Sequence, residues 1–141
     1  LRPLVETIGR IAVEALAAEQ PGAYDAVACM ELLEHVPDPT SGAAACARLV
    51  RPGGHVFFAT LNRTPAAYLL AIVAAEMILR IVPAGTHRYK RFIRPADLRN
   101  WARNAGLDEG ALAGMLYLPF LRHACIVKSC AVNYLAHFQR R

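Results

Sequence analysis

The sequence contains no C-x-x-C pair, although it has four cysteines, Cys29, Cys46, Cys125 and Cys130. That spacing offers neither the ligands of a zinc ribbon nor a thioredoxin-type redox motif. Cys29 falls in a strand-like run and Cys46 on an alanine-rich helix face, so both read as small buried hydrophobes in a reducing compartment. Charge is also scarce, at 19% of residues against 55% hydrophobic, which excludes a disordered chain. Zinc-finger and RNA-recognition motifs are absent, and few aromatics interleave with the basic residues, so nucleic acid is not an expected partner. Unbroken apolar runs stop short of the roughly 20 residues of a clear membrane span. Residues 1–20 carry Glu6, Glu14 and Glu19 in place of a continuous apolar core, and no signal peptide is expected. Internal repeats, linkers and low-complexity tracts are lacking too, and 141 residues suffice for one domain with its own core.

What charge there is leans basic, to a formal +5, with Arg88, Lys90, Arg91, Arg94, Arg99 and Arg103 clustered beside His87. Such a cluster suits acidic substrates or an anionic membrane surface.

The chain is organised around residues 24–62. YDAVACM reads as a buried strand and ELLEHVPDP as the turn after it. TSGAAACARLV follows as a helix capped by Thr40 or Ser41, with Arg51-Pro52-Gly53-Gly54 closing it. HVFFATLN is a second buried strand, built on Val56, Phe57 and Phe58. Strand, crossover helix and parallel strand form a βαβ unit. Ligands bind at the carboxyl ends of such strands, which gathers Met30, Glu31, Glu34 and His35 at one candidate site, with Thr60, Asn62 and Arg63 beside it.

Around this unit, residues 1–20 hold one helix with a loose apolar face of Ile11, Ala15, Leu16 and Ala18, ended at Gln20-Pro21-Gly22. Residues 66–82 form a helix, apolar from Ala66 to Ala75, with Glu76 and Arg80 spaced to pair on one face. Its two readings are a core helix and an interfacial helix lying in lipid ahead of the basic segment. PADLRNWARNAG is a helix started by Pro95, with Leu98, Trp101 and Ala105 on one face and Gly106 as its stop. Leu107–Pro119 and Ala124–Phe138 read as two strands that complete the sheet as an antiparallel pair.

Glu31, Glu34 and His35 stand at i, i+3 and i+4, and on one helical turn they would project to a common side. Two carboxylates and an imidazole can hold a divalent cation, and the oxygen-rich set suits magnesium or manganese more than zinc. The spacing matches neither H-E-x-x-H nor H-x-x-E-H, so a zinc protease is not supported. His35 has a second reading as a general base, since its pKa in water lies near neutrality.

YDAVACMELLEHVPDP, LVRPGGHVFFATLNR, the insertion AEMILRIVPAGTHRYKRFIRPADL and the tail VNYLAHFQ together resemble the bacterial ubiquinone-biosynthesis O-methyltransferases, over roughly residues 13–141. The resemblance implies the carboxyl-terminal part of a Rossmann-like class I methyltransferase, an α/β mixed sheet with flanking helices. It implies one partial domain over 1–141 with a helical insertion at about 63–92. It further implies S-adenosylmethionine as methyl donor, with magnesium as an accompanying metal, and a polyprenylated phenol or catechol as substrate. By the same resemblance Met30 lies against the donor, and Glu31, Glu34 and His35 match residues assigned to magnesium in mitochondrial relatives. The insertion corresponds to a lipid-contacting segment. The expected setting is cytoplasmic, peripheral to the inner face of the membrane, in association with other enzymes of the pathway. The family's V-L-D-x-G-C-G-G-G donor loop and the acidic residue that follows it have no counterpart here. The expected topology is therefore strands four to seven of seven, with a free edge at Tyr24–Met30. A non-catalytic, membrane-associated module is the competing expectation.

Overall fold

The computed structural model describes residues 12–70, 89–118 and 123–141. Helix α1 (Val13–Glu19) leads into strand β1 (Tyr24–Met30), helix α2 (Pro39–Leu49) and strand β2 (Val50–Leu61). A short helical turn α3 (Pro65–Ala67) and a 3-10 turn (Tyr89–Arg91) follow. Helix α4 (Pro95–Asn104) and strands β3 (Leu107–Leu118), β4 (His123–Val127) and β5 (Asn133–Arg140) complete the chain. The helix expected over residues 66–82, with its Glu76–Arg80 pair, lies mostly outside the described residues, as do Arg88 and His87 of the basic cluster.

The five strands form one sheet in the order β1-β2-β5-β3-β4. β1 and β2 run parallel, with Cys29 opposite Phe58 and Met30 opposite Ala59, so the expected βαβ unit is present. β5 lies antiparallel to both β2 and β3, and β4 pairs antiparallel with the far half of β3. The expected single strand Ala124–Phe138 is two strands, broken at residues 128–132. Its second half crosses back between β2 and β3, and its first half stays at the edge. β1 is the other edge of the sheet, as the family topology implied.

Alternation along β2 and β5 sets the two faces. Val56, Phe58, Tyr134, Ala136 and Phe138 point to one side and are buried with Cys46 and Ala47 of α2 and Leu98 and Ala102 of α4. Phe58 meets Phe138 edge-on, with ring centroids 5.9 Å apart. Cys29 and Cys46 are buried in this layer as anticipated. The Cys46 thiol is pushed up by its hydrogen bond to Cys29 and by burial. α1 docks on α2 through Ala17, with Val13 and Leu16 in support, whereas Ala15 and Ala18 are exposed. The inward face is thus centred on Ala17 rather than on Ala15 and Ala18, and Ile11 of the expected stripe lies outside the described residues.

The cap of α2 lies two residues before Thr40, the first of the two hydroxyls expected to supply it. Asp38 is the cap, its Oδ1 accepting from the amides of Thr40 and Ser41 at 3.0 and 3.2 Å. Pro39 occupies the first turn, where its missing N–H costs nothing and its fixed φ suits the helix. The R-P-G-G run does not end the helix: Val50 already has extended geometry, and the four residues belong to β2. Gly54 is needed there for closeness. A Cβ at this position would lie 2.4 Å from Val50 Cγ1 and 2.7 Å from the Asp25 carbonyl oxygen. α4 ends as expected at Gly106, which takes a φ of +81°.

Candidate active site at the carboxyl end of the first strand

The segment after β1 is a turn, so the one-turn-helix placement expected for Glu31, Glu34 and His35 does not form. Glu31 itself has a φ of +50°, the left-handed region that non-glycine residues rarely enter. Its amide is held by the Ala59 carbonyl of β2 at 2.8 Å, which keeps the strand pairing one residue longer before the chain turns. Backbone strain of this kind, on the order of 1–3 kcal/mol, clusters at functional sites.

The turn drives Glu34 inward, to 4% exposure, beneath Leu33, which is also buried. With both carboxyls ionised, neither Glu34 oxygen has a hydrogen-bond partner among the described residues, and both carry almost no exposed surface. Such a group demands a proton, a cation or a donor. Glu31 stands against it. Burial, then the hydrogen bond to Glu34, then the Glu34 charge push the Glu31 carboxyl up to about 7. A proton shared between two carboxyls accounts for both observations: the bond to Glu34 exists when one of the pair is protonated. The charge of Glu34 also reaches Tyr134, whose phenol is raised first by burial and then by this carboxylate. The Tyr134 hydroxyl donates to the Ile93 carbonyl at 3.1 Å.

His35 stands apart from this pair. It is exposed, its amide donates to the Leu32 carbonyl at 2.9 Å, and its own carbonyl accepts from Arg91 at 3.3 Å. Among the described residues no three His, Cys, Asp or Glu side chains converge as a metal-binding group. The expected Glu31, Glu34 and His35 set is thus not assembled. The loss of helical geometry at Glu31 separates residues that the spacing would have aligned. Magnesium does not fit as a three-ligand ion among these residues.

Met30 projects to the opposite face of the sheet from Cys29 and is 46% exposed. It borders an apolar groove of about 310 Å³ lined also by Phe57, Ala111, Ala113, Leu135 and His137. The other expected neighbours are structural. Asn62 Nδ2 donates to the Cys130 carbonyl at 2.8 Å, and Arg63 Nε donates to the Phe92 carbonyl at 2.6 Å, tying the end of β2 to the segments that flank it. Thr60 is fully buried opposite Tyr134. The basic cluster is partly spent on the fold: Arg99 grips Glu109 with two bonds of 2.6 and 2.8 Å. Sequence reasoning missed the inward turn of Glu34 and the part played by Tyr134. The first left a trace in the two neighbouring carboxylates before Pro37; the second depends on a pairing 41 residues distant and left none.

A parallel strand pair with its crossover helix, continued by antiparallel strands and carrying an acidic turn at the first strand's carboxyl end, is a Rossmann-like methyltransferase half-sheet. The chain belongs to the methyltransferase-domain family, which it matches over residues 6–109. It is 58% identical over 125 residues to the ubiquinone biosynthesis O-methyltransferase of Xanthomonas euvesicatoria pv. vesicatoria, covering 89% of this chain and 52% of that protein. The Methylococcus capsulatus protein of the same name is 54% identical over 131 residues, covering 93% and 55%. The chain thus spans about half the length of the curated relatives it matches. Among solved structures, magnesium protoporphyrin IX methyltransferase from Synechocystis PCC 6803, solved with bound SAH, superposes at a TM-score of 0.57 with 16% identity, covering 89% of this chain and 48% of that one. A Thermotoga maritima methyltransferase described as a possible histamine N-methyltransferase reaches 0.62 with 13% identity, covering 86% and 58%. These likenesses establish the fold.

Proposed function

We propose that residues 13–141 supply the acceptor side of an S-adenosylmethionine-dependent O-methyltransferase that methylates a polyprenylated phenol in ubiquinone biosynthesis. The observation that carries this reading is the 58% identity to a protein of that name across 89% of the chain. The competing reading, a membrane-associated module without catalysis, is not favoured by a match that takes in 89% of the chain.

When bound, S-adenosylmethionine would supply an electrophilic methyl group, its sulfur–carbon bond breaking as the phenolic oxygen–carbon bond forms, with S-adenosylhomocysteine as the leaving product. The phenol proton must leave as the oxygen–carbon bond forms. The Glu31–Glu34 pair at the end of β1 suits that task, because a carboxyl raised to about 7 is a stronger base than an ordinary one and is partly ionised at neutral pH. His35, exposed on the same turn, is the alternative base and can pass the proton onward to solvent. Met30 stays assigned to the donor side.

A long prenyl tail needs an apolar surface, and Tyr68, Leu69 and Leu70 at the start of the insertion are exposed. Among the described residues no helix is long and apolar enough to cross a membrane. In this reading the insertion over about 63–92 rests on the anionic inner face of the membrane, with its basic residues toward the headgroups. Association with other enzymes of the pathway belongs to the same proposal.

The test is a chimera in which this chain replaces the matched 125 residues of the Xanthomonas relative. Methyl transfer from labelled S-adenosylmethionine to a 2-polyprenyl-6-hydroxyphenol is then measured. Activity within tenfold of the parent supports the assignment, and a folded chimera without transfer overturns it.

A further inference from the structure

A second chemical feature lies on the face of the sheet turned away from α2 and α4. His55 Nδ1 and His137 Nε2 approach to 3.0 Å across the antiparallel β2–β5 pair. The His137 ring is bounded by neighbours on two sides. Phe57 stacks on His137 with centroids 4.9 Å apart and planes 24° from parallel. Beneath His137 the neighbouring strand β3 makes a bulge between Glu109 and Ala111. The bulge residue is Gly110, and a Cβ there would lie 2.4 Å from His137 Nδ1. Glycine at this point makes the room that the imidazole occupies.

We propose that His55 and His137 form a two-imidazole site for a borderline transition-metal ion. Each neutral ring has one lone pair, and one proton now bridges the two nitrogens. A metal would replace that bridge, the donating ring moving its proton to its other nitrogen, so that no net proton is released. With metal–nitrogen bonds of about 2.0–2.1 Å, two nitrogens 3.0 Å apart subtend an angle of about 94° at the ion. That angle is near the right angle of square-planar and tetragonal sites, a geometry that Ni²⁺ and Cu²⁺ adopt readily. His55 is exposed and His137 half-buried, so both rings can tilt to direct their lone pairs at the ion, and water can fill the remaining positions.

The experiment is calorimetric titration of the tag-free chain with Ni²⁺ at pH 7.5, with circular dichroism to confirm the fold of each variant. One equivalent is expected to bind, and His55→Gln and His137→Gln are each expected to weaken it at least about tenfold. His123→Gln, at a histidine on β4 outside the pair, is expected to bind as the native chain does. Gly110→Ala, which keeps both ligands but displaces the His137 ring, is expected to weaken binding as well. Absence of saturable binding by the native chain would overturn the proposal. So would native affinity in either ligand variant or in Gly110→Ala.

Discussion

Replacing Glu31 by glutamine gives a side chain of the same shape that is neutral at every pH. In the native chain the Glu31 carboxyl is moved from 4.5 to about 7 by burial and by Glu34. A group whose folded pKa is raised favours the protonated state. Its contribution to stability is complete below the unfolded value near 4.5 and is lost as pH rises through about 7. At about 1.36 kcal/mol per pH unit the full displacement would be worth about 3 kcal/mol. Glu31 is solvent-exposed on one side, and screening by water reduces that to on the order of 1 kcal/mol. Glu31→Gln is therefore expected to match the native chain at pH 4.5 and to exceed it by about 1 kcal/mol at pH 8. Urea unfolding at half-unit pH steps measures this. The native-minus-variant difference isolates Glu31 from other carboxyls, which titrate in both proteins. A variant less stable than native at pH 8, or a difference independent of pH, would refute the shared-proton account of the pair.

Further outcomes follow from the packing. Gly54→Ala is expected to cost about 1–3 kcal/mol in urea unfolding, since the added carbon meets the Asp25 carbonyl and Val50 at distances the backbone must open to accommodate. Asp38→Ala removes the side-chain cap of α2 and is expected to cost about 1 kcal/mol, while Thr40→Ala leaves that cap in place and is expected to change stability little. Arg99 holds the Glu109 carboxyl below the usual carboxylate range, so its contribution is present above the unfolded pKa and disappears as pH falls through the folded one. Because both partners are partly exposed, Glu109→Gln is expected to lose less than about 1 kcal/mol at pH 7 and to equal the native chain at pH 2.

The βαβ unit was legible because its signals are local. A seven-residue apolar run, turn residues, an alanine-rich stretch and a second apolar run occupy consecutive positions, and each element matched its expected type. The boundaries at Pro39 and Val50 moved because capping competes between adjacent residues: Asp38 displaced the hydroxyls of Thr40 and Ser41, and the glycines after Pro52 served the close approach of β1. The tail was misread for another reason. Nothing local tells Asn133–Arg140 that its place is between β2 and β3; that is settled by which partner buries Tyr134, Ala136 and Phe138. The acidic site was found by position and mistaken in shape. The i, i+3, i+4 argument requires helical backbone, and the left-handed Glu31 removes it, burying one carboxylate and leaving His35 in solvent.

The most direct measurement is the pH dependence of methyl transfer by the chimera with the Xanthomonas relative, with and without Glu31→Gln. A carboxyl base with a pKa of about 7 predicts kcat/KM rising through neutrality, and a loss of at least about tenfold in the glutamine variant above pH 7. A Glu31→Gln chimera that transfers methyl at the parental rate from pH 6 to 8 would contradict the assignment of the acidic turn as the acceptor-side base.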